Sequence, residues 1–228
     1  VKQWASSRVD MTWGRPTETE QAQLAGEAVE YYRYAMQLVQ TKAQNPQDDY
    51  LSDLIRLRGG EDAKATLHEI GATAFNLLFA GHETTSSAAA NLFKAVLPRR
   101  ELWRAICDGT QPLGPVVEEG LRIDPPVQVW RRQAREPVEL DGVTLPAGAR
   151  ILLVFAAANR DPSQFAVPDD FVPGRRNVMQ HVSFGTGAHF CLGAPLARLE
   201  VEAMLASVAR HLPGLALTYY LTHSLGGA

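Results

Sequence analysis

The stretch Phe184-Gly185-Thr186-Gly187-Ala188-His189-Phe190-Cys191-Leu192-Gly193 sets three glycines closely around one cysteine. Glycine adopts positive φ and lets the backbone approach a flat ligand closely. A helix is predicted from about Cys191 to His211, and the unpaired amides and positive dipole end at its start favour a thiolate. A cysteine in a glycine-rich turn is also compatible with a small buried side chain. The stretch therefore predicts either a metal-ligating thiolate or a structural cysteine.

The composition is that of a globular protein. The 228 residues are 46% apolar and 21% charged, and the net charge of −3 does not favour nucleic acid or an anionic lipid surface as a partner. No run of about 18 apolar residues predicts a transmembrane helix, and no secretory signal is found at the start. The only cysteines, Cys107 and Cys191, do not predict a disulfide framework, so we expect a cytoplasmic, reducing environment. The first residue is Val1, which is compatible with a piece of a longer protein.

Hydrophobic periodicity and turn residues predict a mainly helical chain with a small β component, an α+β fold. Helices are predicted at 1–14, 16–44, 48–58, 61–98, 99–107, 116–123 and 191–211, and strands at 127–130, 138–140, 143–145 and 151–155. Asp141-Gly142 is typical of a tight hairpin turn between the two middle strands. Residues 156–190 contain Pro and Gly throughout and are expected to be mainly loop.

The longest predicted helix begins near Glu61 or Asp62, ends before Pro98, and would be roughly 50 Å long at about 1.5 Å per residue. Residues 70–80 are apolar on nearly every face of this helix, which predicts a position at the centre of a structure. A polar run at 82–87 interrupts the apolar stretch and needs hydrogen-bonding partners. One explanation of the run is a helix kink, in which Ser and Thr bond back to preceding carbonyls.

The cysteine stretch resembles the haem-binding signature of the cytochromes P450, Phe-Gly-x-Gly-x-His-x-Cys-x-Gly, and matches it at every position. The resemblance is to the soluble, bacterial type, and it implies haem b as cofactor. Cys191 would be the proximal thiolate ligand of the iron, and Phe184 would shield the sulfur side of the haem. Gly185 and Gly193 would line the haem. Such a thiolate pushes electron density toward O–O cleavage. Cys107 has no comparable surroundings and is expected to be structural.

A second match is Ala80-Gly81-His82-Glu83-Thr84-Thr85, which resembles the oxygen-activating segment of the family's long central helix. The resemblance implies that the small pair Ala80 and Gly81 leaves room beside the iron. Thr84 would hydrogen-bond the bound oxygen, and Glu83 would help to relay protons, because this chemistry needs donors in an otherwise dry pocket. His82 is expected to pack or to face the cavity.

A third match is Glu119 and Arg122, the family's Glu-x-x-Arg motif. The three-residue spacing puts both side chains on one helical face, although ion pairs at this spacing are also common on protein surfaces. Phe171 and Arg175 match the family's later Phe-x-x-x-Arg segment. The resemblance implies that Glu119, Arg122 and Arg175 form a buried cluster that supports the cysteine loop, since a buried charge left unpaired is costly.

The two carboxylates of haem need cationic partners. The resemblance assigns this contact to Arg132, His181 and His189, and the planar guanidinium of Arg suits a carboxylate especially well. Arg131 and Arg135 lie nearby in the sequence and could exchange roles with Arg132. His189 lies inside the signature itself.

The resemblance runs from about residue 4 to residue 217, but it covers only the second, haem-binding half of the family. We therefore expect residues 1–228 to be one partial P450 domain, with an atypical tail at 218–228. Because the long central helix is apolar nearly all round and half of its neighbours are missing, a large apolar patch should be exposed. We therefore expect that the chain is incomplete, or that it pairs with a second chain or another copy of itself.

The resemblance implies a monooxygenase that inserts one atom of O2 into a small organic substrate. Electrons would come from NAD(P)H through a separate ferredoxin or flavodoxin, and neither nucleic acid nor membrane is expected as a partner. Two alternatives remain open at this point. One is a non-catalytic P450-like haem or recruitment domain, and the other is an inactive truncated fragment.

Overall fold

The computed structural model describes residues 2–58 and 65–217. Backbone contacts group the chain into two compact units, Val1–Glu83 and Thr84–Ala228. The prediction that residues 1–228 form one partial domain stays a prediction, and the predicted atypical tail lies outside the described residues. The described part is mainly helical with two small sheets, as the sequence predicts.

The first unit contains three helices and the first part of a fourth, which are α1 (Lys2–Trp13), α2 (Glu18–Gln44), α3 (Tyr50–Arg58) and α4 (Leu67–Val96). At the start of α2, Thr17 and Glu20 form a capping box, in which each side chain bonds the other residue's backbone amide. The core of this unit joins α2 to α4 through the buried residues Ala35, Val39, Ile70 and Ala74.

Helix α4 begins later than the sequence analysis predicts. Residues 65 and 66 are not helical, and the predicted start at 61–62 lies outside the described residues. A second capping box begins the helix, because the Glu69 amide donates to Thr66 Oγ1 at 3.2 Å and the Thr66 amide donates to the Glu69 carboxylate at 2.6 Å. The prediction of a buried apolar stretch at 70–80 is only partly met, since Ile70 is buried whereas Ala80 is exposed. The apolar pattern indicates that these residues favour burial, but it does not show which segment of the protein covers them.

Among the described residues, the second unit contains the end of α4, four further helices and the strands. The helices are α5 (Arg100–Cys107), α6 (Leu113–Ile123), α7 (Phe155–Ala158) and α8 (Ala194–His211). Helices α5 and α6 both pack against α8. Trp103, Val116 and Leu205 are fully buried in the core that these helices form. Helix α6 also approaches α4 closely, because a Cβ built on Gly120 would lie 2.5 Å from Leu92 Cδ1.

The strands form two antiparallel pairs, β1 (Val129–Gln133) with β4 (Arg150–Val154) and β2 (Val138–Leu140) with β3 (Val143–Leu145). The predicted hairpin turn is confirmed, since Asp141 and Gly142 have φ of 48° and 76°. In the other pair, Arg132 lies opposite Ile151.

Irregular chain connects β4 to α8, with short 3-10 turns at Val178–Gln180 and Gly187–His189. The predicted start of the last helix at Cys191 is wrong by three residues, because Gly193 is the N-cap and α8 begins at Ala194. Pro195 lies in its first turn, where a missing amide hydrogen costs nothing. Cys191 is therefore part of the turn that precedes the helix.

The packing of α8 makes a stability prediction. Leu205 is fully buried on this helix, whereas Leu199 is 65% exposed. Leu205→Ala should lower the free energy of unfolding by about 2–5 kcal/mol through lost burial and a cavity, and Leu199→Ala should change it by no more than about 0.5 kcal/mol. Urea unfolding of both variants checks this. Equal losses would mean that α8 packs through a different face.

Candidate functional site

The turn that carries Cys191 is shaped by glycine and by one backbone hydrogen bond. Gly185 and Gly187 have φ of 72° and 70°, a region that side chains with a Cβ rarely adopt. The amide of Cys191 donates to the carbonyl of Phe184 at 2.9 Å. Cys191 is exposed, and a Cβ added to Gly193 would lie 3.9 Å from its Sγ. The two glycines with positive φ therefore set the shape of the turn, and the turn places the Cys191 thiol at the surface.

A buried ion cluster lies between α6 and the irregular segment before the cysteine turn. Glu119 and Arg122 are fully buried, and Arg122 Nε and Nη2 donate to the two carboxylate oxygens at 2.8 Å each. The Glu119 carboxylate also accepts from the Val172 amide at 2.9 Å and from Arg175 Nε at 3.3 Å. The structure brings these three charged residues together in the arrangement that the sequence analysis expects.

The remaining donors of Arg122 bond to backbone carbonyls. Nη1 donates to the carbonyls of Asn159 and Pro168, both at 2.8 Å, and Nη2 donates to that of Asp170 at 3.0 Å. All five N–H groups of the guanidinium therefore have acceptors, as a buried Arg requires. Through these bonds, the cluster determines the path of the chain between α7 and the cysteine turn.

A second polar cluster, which sequence reasoning missed, surrounds Glu118. This residue is 9% exposed, and its Oε2 lies 3.0 Å from His181 Nε2 and 3.2 Å from Arg198 Nη2. Arg198 Nε donates to the other carboxylate oxygen. The available signal was a pair of adjacent acids in a short, mainly apolar helix whose one basic residue, Arg122, can pair with Glu119. The second acid, Glu118, then needs partners from elsewhere.

Opposing effects act on the pKa of Glu118. Burial would raise this pKa, but the hydrogen bonds from His181 and Arg198, together with the positive charge of Arg198, lower it below its ordinary value. The carboxylate is therefore the form that the folded protein favours.

The residues expected to contact haem carboxylates differ in exposure and in their protein partners. Arg132 on β1 and His189 in the 3-10 turn are exposed, and Arg132 Nη1 donates to the Arg131 carbonyl at 2.9 Å. His181 is buried, with Nε2 against Glu118 and Nδ1 accepting from the Ser183 amide at 3.3 Å. Its contact with a haem carboxylate stays a prediction, and it would require His181 to exchange one of these protein partners.

The segment around Ala80 lies on α4, where the division between the two units falls. Ala80 and Gly81 are exposed, and a Cβ built on Gly81 meets no atom within 4 Å. Ser6 Oγ donates to Glu83 Oε1 at 3.2 Å within the first unit. Thr84 is the first residue of the second unit. The roles of Glu83 and Thr84 in oxygen chemistry stay predictions.

Large apolar side chains are exposed along the cysteine turn and the beginning of α8, namely Phe190, Leu192, Leu196 and Leu199. Exposed apolar residues in such number near one site are typical of a surface that another segment or ligand covers. This surface differs from the apolar patch expected on the long central helix, and that patch and its covering by a second chain or copy stay predictions. No helix within the described residues is long and apolar enough to cross a bilayer.

These residues fit a haem group. They offer one exposed thiol as an iron ligand, the exposed side chains of Arg132 and His189 as hydrogen-bond donors to carboxylates, and apolar side chains suited to a porphyrin face. The glycines at 185 and 187 keep the backbone beside the thiol free of side chains.

The buried cluster makes a prediction with a matched control. Glu119→Gln leaves Arg122 and Arg175 without a buried counter-charge and should lower the free energy of unfolding by about 3–5 kcal/mol. Asp53→Asn removes an ion pair with Arg56 at the same three-residue spacing but with both side chains more than half exposed. This change should cost less than about 1 kcal/mol. Similar losses in urea unfolding would contradict the structural role of the Glu119 cluster.

The lowered pKa of Glu118 makes a pH prediction. A carboxyl with a lowered folded pKa contributes stability above its unfolded value of about 4.3, and loses that contribution as the pH falls through the folded pKa. Glu118→Gln should therefore be less stable than the wild type by about 1–3 kcal/mol near neutral pH. The difference should vanish as the wild-type carboxylate becomes protonated. Urea unfolding from neutral to acidic pH measures it, with the exposed Glu200→Gln as control; a difference independent of pH would contradict the prediction.

Comparison with known proteins gives matches to cytochromes P450. The cytochrome P450 family model matches residues 113–212. The chain is 37% identical to the biotin biosynthesis cytochrome P450 of Bacillus subtilis, over 95% of this chain and 54% of that protein. It is 35% identical to the 6-deoxyerythronolide B hydroxylase of Saccharopolyspora erythraea, over 88% of this chain and 50% of that protein.

The fold comparison gives the same family. The solved structure of cytochrome P450 CREJ in complex with (4-ethylphenyl) dihydrogen phosphate matches with a TM-score of 0.90 and 37% identity, over 96% of this chain and 54% of that chain. The chain thus spans about half the length of the relatives it matches. By its matching family model and its fold, the chain is similar to cytochromes P450 over about half of their length.

Proposed function

We propose that this chain provides the thiolate-bearing, haem-binding part of a cytochrome P450 monooxygenase. The observation that carries the proposal is the exposed Cys191 on a turn defined by Gly185 and Gly187. A relative that is named as a hydroxylase supports the reaction type. The reaction consumes O2, two electrons and two protons, and it puts one oxygen atom into a small organic substrate while the other leaves as water.

The proposed roles of the haem-binding residues follow from their chemistry. Haem supplies oxygen binding and redox chemistry when it is bound, and a thiolate ligand favours O–O cleavage. Cys191 would ligate the iron of haem b, and Arg132 and His189 would hold the carboxylates. Phe184 would pack on the sulfur side. The glycines of the turn let the backbone come close to the ring.

On α4, the proposed roles concern space and protons. Ala80 and Gly81 would leave room for oxygen, because they carry almost no side chain. Thr84 would donate a hydrogen bond to the oxygen, and Glu83 would pass protons from solvent. Electrons would come from NAD(P)H through a separate ferredoxin or flavodoxin in the cytoplasm.

A second candidate is a haem-binding part that is inactive by itself. Two observations favour it: the chain spans about half of its relatives, and Ala80, Gly81 and His82 are exposed. A dry oxygen pocket needs these residues to be covered. Further residues of a longer chain, a second chain or another copy of this one would then be needed for turnover, although not for iron ligation by Cys191.

The absorption spectrum of the reduced, carbon monoxide-bound protein tests the haem-thiolate proposal. After haem is added to the chain, the wild type should give a thiolate-type Soret band, because Cys191 supplies the sulfur ligand. Cys191→Ser should lose this band, whereas Cys107→Ser should keep it as a matched control. The proposal is wrong if the wild type does not bind haem or if all three proteins give the same spectrum.

A further inference from the structure

Three segments of the second unit meet at the carboxylate of Glu118. Helix α6 supplies Glu118, the chain before the cysteine turn supplies His181, and α8 supplies Arg198. The His181 side chain is 1% exposed and the Glu118 side chain 11% exposed, so water screens this contact little. One carboxylate thus joins the segments on both sides of the cysteine turn.

Both partners of Glu118 contact the same aromatic ring. The Arg198 guanidinium carbon lies 4.5 Å from the centroid of the Phe184 ring, within the range of a cation–π interaction. The His181 ring centroid lies 5.9 Å from that of Phe184. The carbonyl of Phe184 accepts the amide of Cys191 at 2.9 Å. A continuous set of contacts therefore leads from Glu118 to the backbone of Cys191.

We propose that Glu118 is a positioning residue for Cys191. Its carboxylate holds His181 and Arg198 against the Phe184 ring, and this keeps the Phe184 carbonyl in place to accept the Cys191 amide. The consequence for haem ligation rests on the proposed function, but the positioning itself is a property of the chain alone.

The neighbouring Glu119 provides the comparison that separates positioning from general stability. Successive residues of a helix point about 100° apart, so the two carboxylates face different surroundings. The hydrogen bonds of Glu119 go to Arg122, Arg175 and the Val172 amide, and none of these groups is a partner of Phe184 or Cys191 in the described contacts. Loss of Glu119 should loosen the unit as a whole, whereas loss of Glu118 should loosen the cysteine turn first.

Amide hydrogen exchange of the full chain without added haem tests the proposal. Glu118→Gln should raise the exchange rate of the Cys191 amide by about 10- to 100-fold, the effect expected when hydrogen bonds to a charged group are lost. The amide of Trp103, which bonds the Arg99 carbonyl at 2.9 Å in the core, serves as the internal reference and should change much less. Equal acceleration of both amides, or no acceleration at Cys191, would overturn the proposal.

Two further variants keep the test decisive if Glu118→Gln folds poorly. Arg198→Lys keeps the positive charge but loses the planar group over Phe184, so it should accelerate the Cys191 amide in the same selective way. Glu119→Gln should accelerate both amides together. Selective acceleration by Glu119→Gln, or none by Arg198→Lys, would count against Glu118 as the positioning residue.

A second readout uses the haem-loaded chain. Glu118→Gln should lower the fraction of the carbon monoxide complex that shows the thiolate-type band, and Glu118→Asp, which keeps the charge, should restore part of it. If the wild type binds no haem, the proposed function fails while the exchange result still decides the positioning role. If haem binds with a thiolate band and the Cys191 amide does not respond to Glu118→Gln, only the positioning proposal fails.

Discussion

The buried pair Glu119–Arg122 is the interaction on which the rest of the cysteine-bearing unit depends. Both groups lose their water when α6 packs into the core, and this cost is offset only because each charged atom finds a partner. Three of those partners are carbonyls of Asn159, Pro168 and Asp170, in a segment with little regular secondary structure. The Arg122 guanidinium thus satisfies backbone carbonyls that a helix or a sheet would otherwise satisfy. These hydrogen bonds fix the position of the irregular segment against α6.

The two adjacent glutamates of helix α6 contact different segments of the chain. Glu119 organises the segment after β4, whereas Glu118 joins α8 to the chain just before the cysteine turn. The short helix is therefore connected to the turn from both directions. The segments on both sides of the exposed thiol are thus attached to α6 through Glu118, although the apolar neighbours Phe190 and Leu192 are exposed.

Helix α4 shows what periodicity can and cannot predict. Its apolar residues at Ile70 and Ala74 are buried as expected, but Ala80 is exposed. Hydrophobic patterning records a preference for burial, and the covering segment has to come from elsewhere in the fold.

The sequence by itself determined the longer helices apart from some of their ends, the Asp141-Gly142 hairpin, the glycine-framed cysteine turn and the pairing of Glu119 with Arg122. Each of these depends on residues close together in the chain, where φ preferences, capping and helical spacing act locally. The Thr66–Glu69 capping box was equally local, and its Thr-x-x-Glu pattern could have given the start of α4. The sequence did not predict the short helix α7. Only the tertiary structure decided the partners of Glu118, because His181 and Arg198 lie 63 and 80 residues away along the chain. It also gave His181 two protein partners where the sequence indicated a haem contact, since burial beside a carboxylate depends on how distant segments pack and not on local sequence.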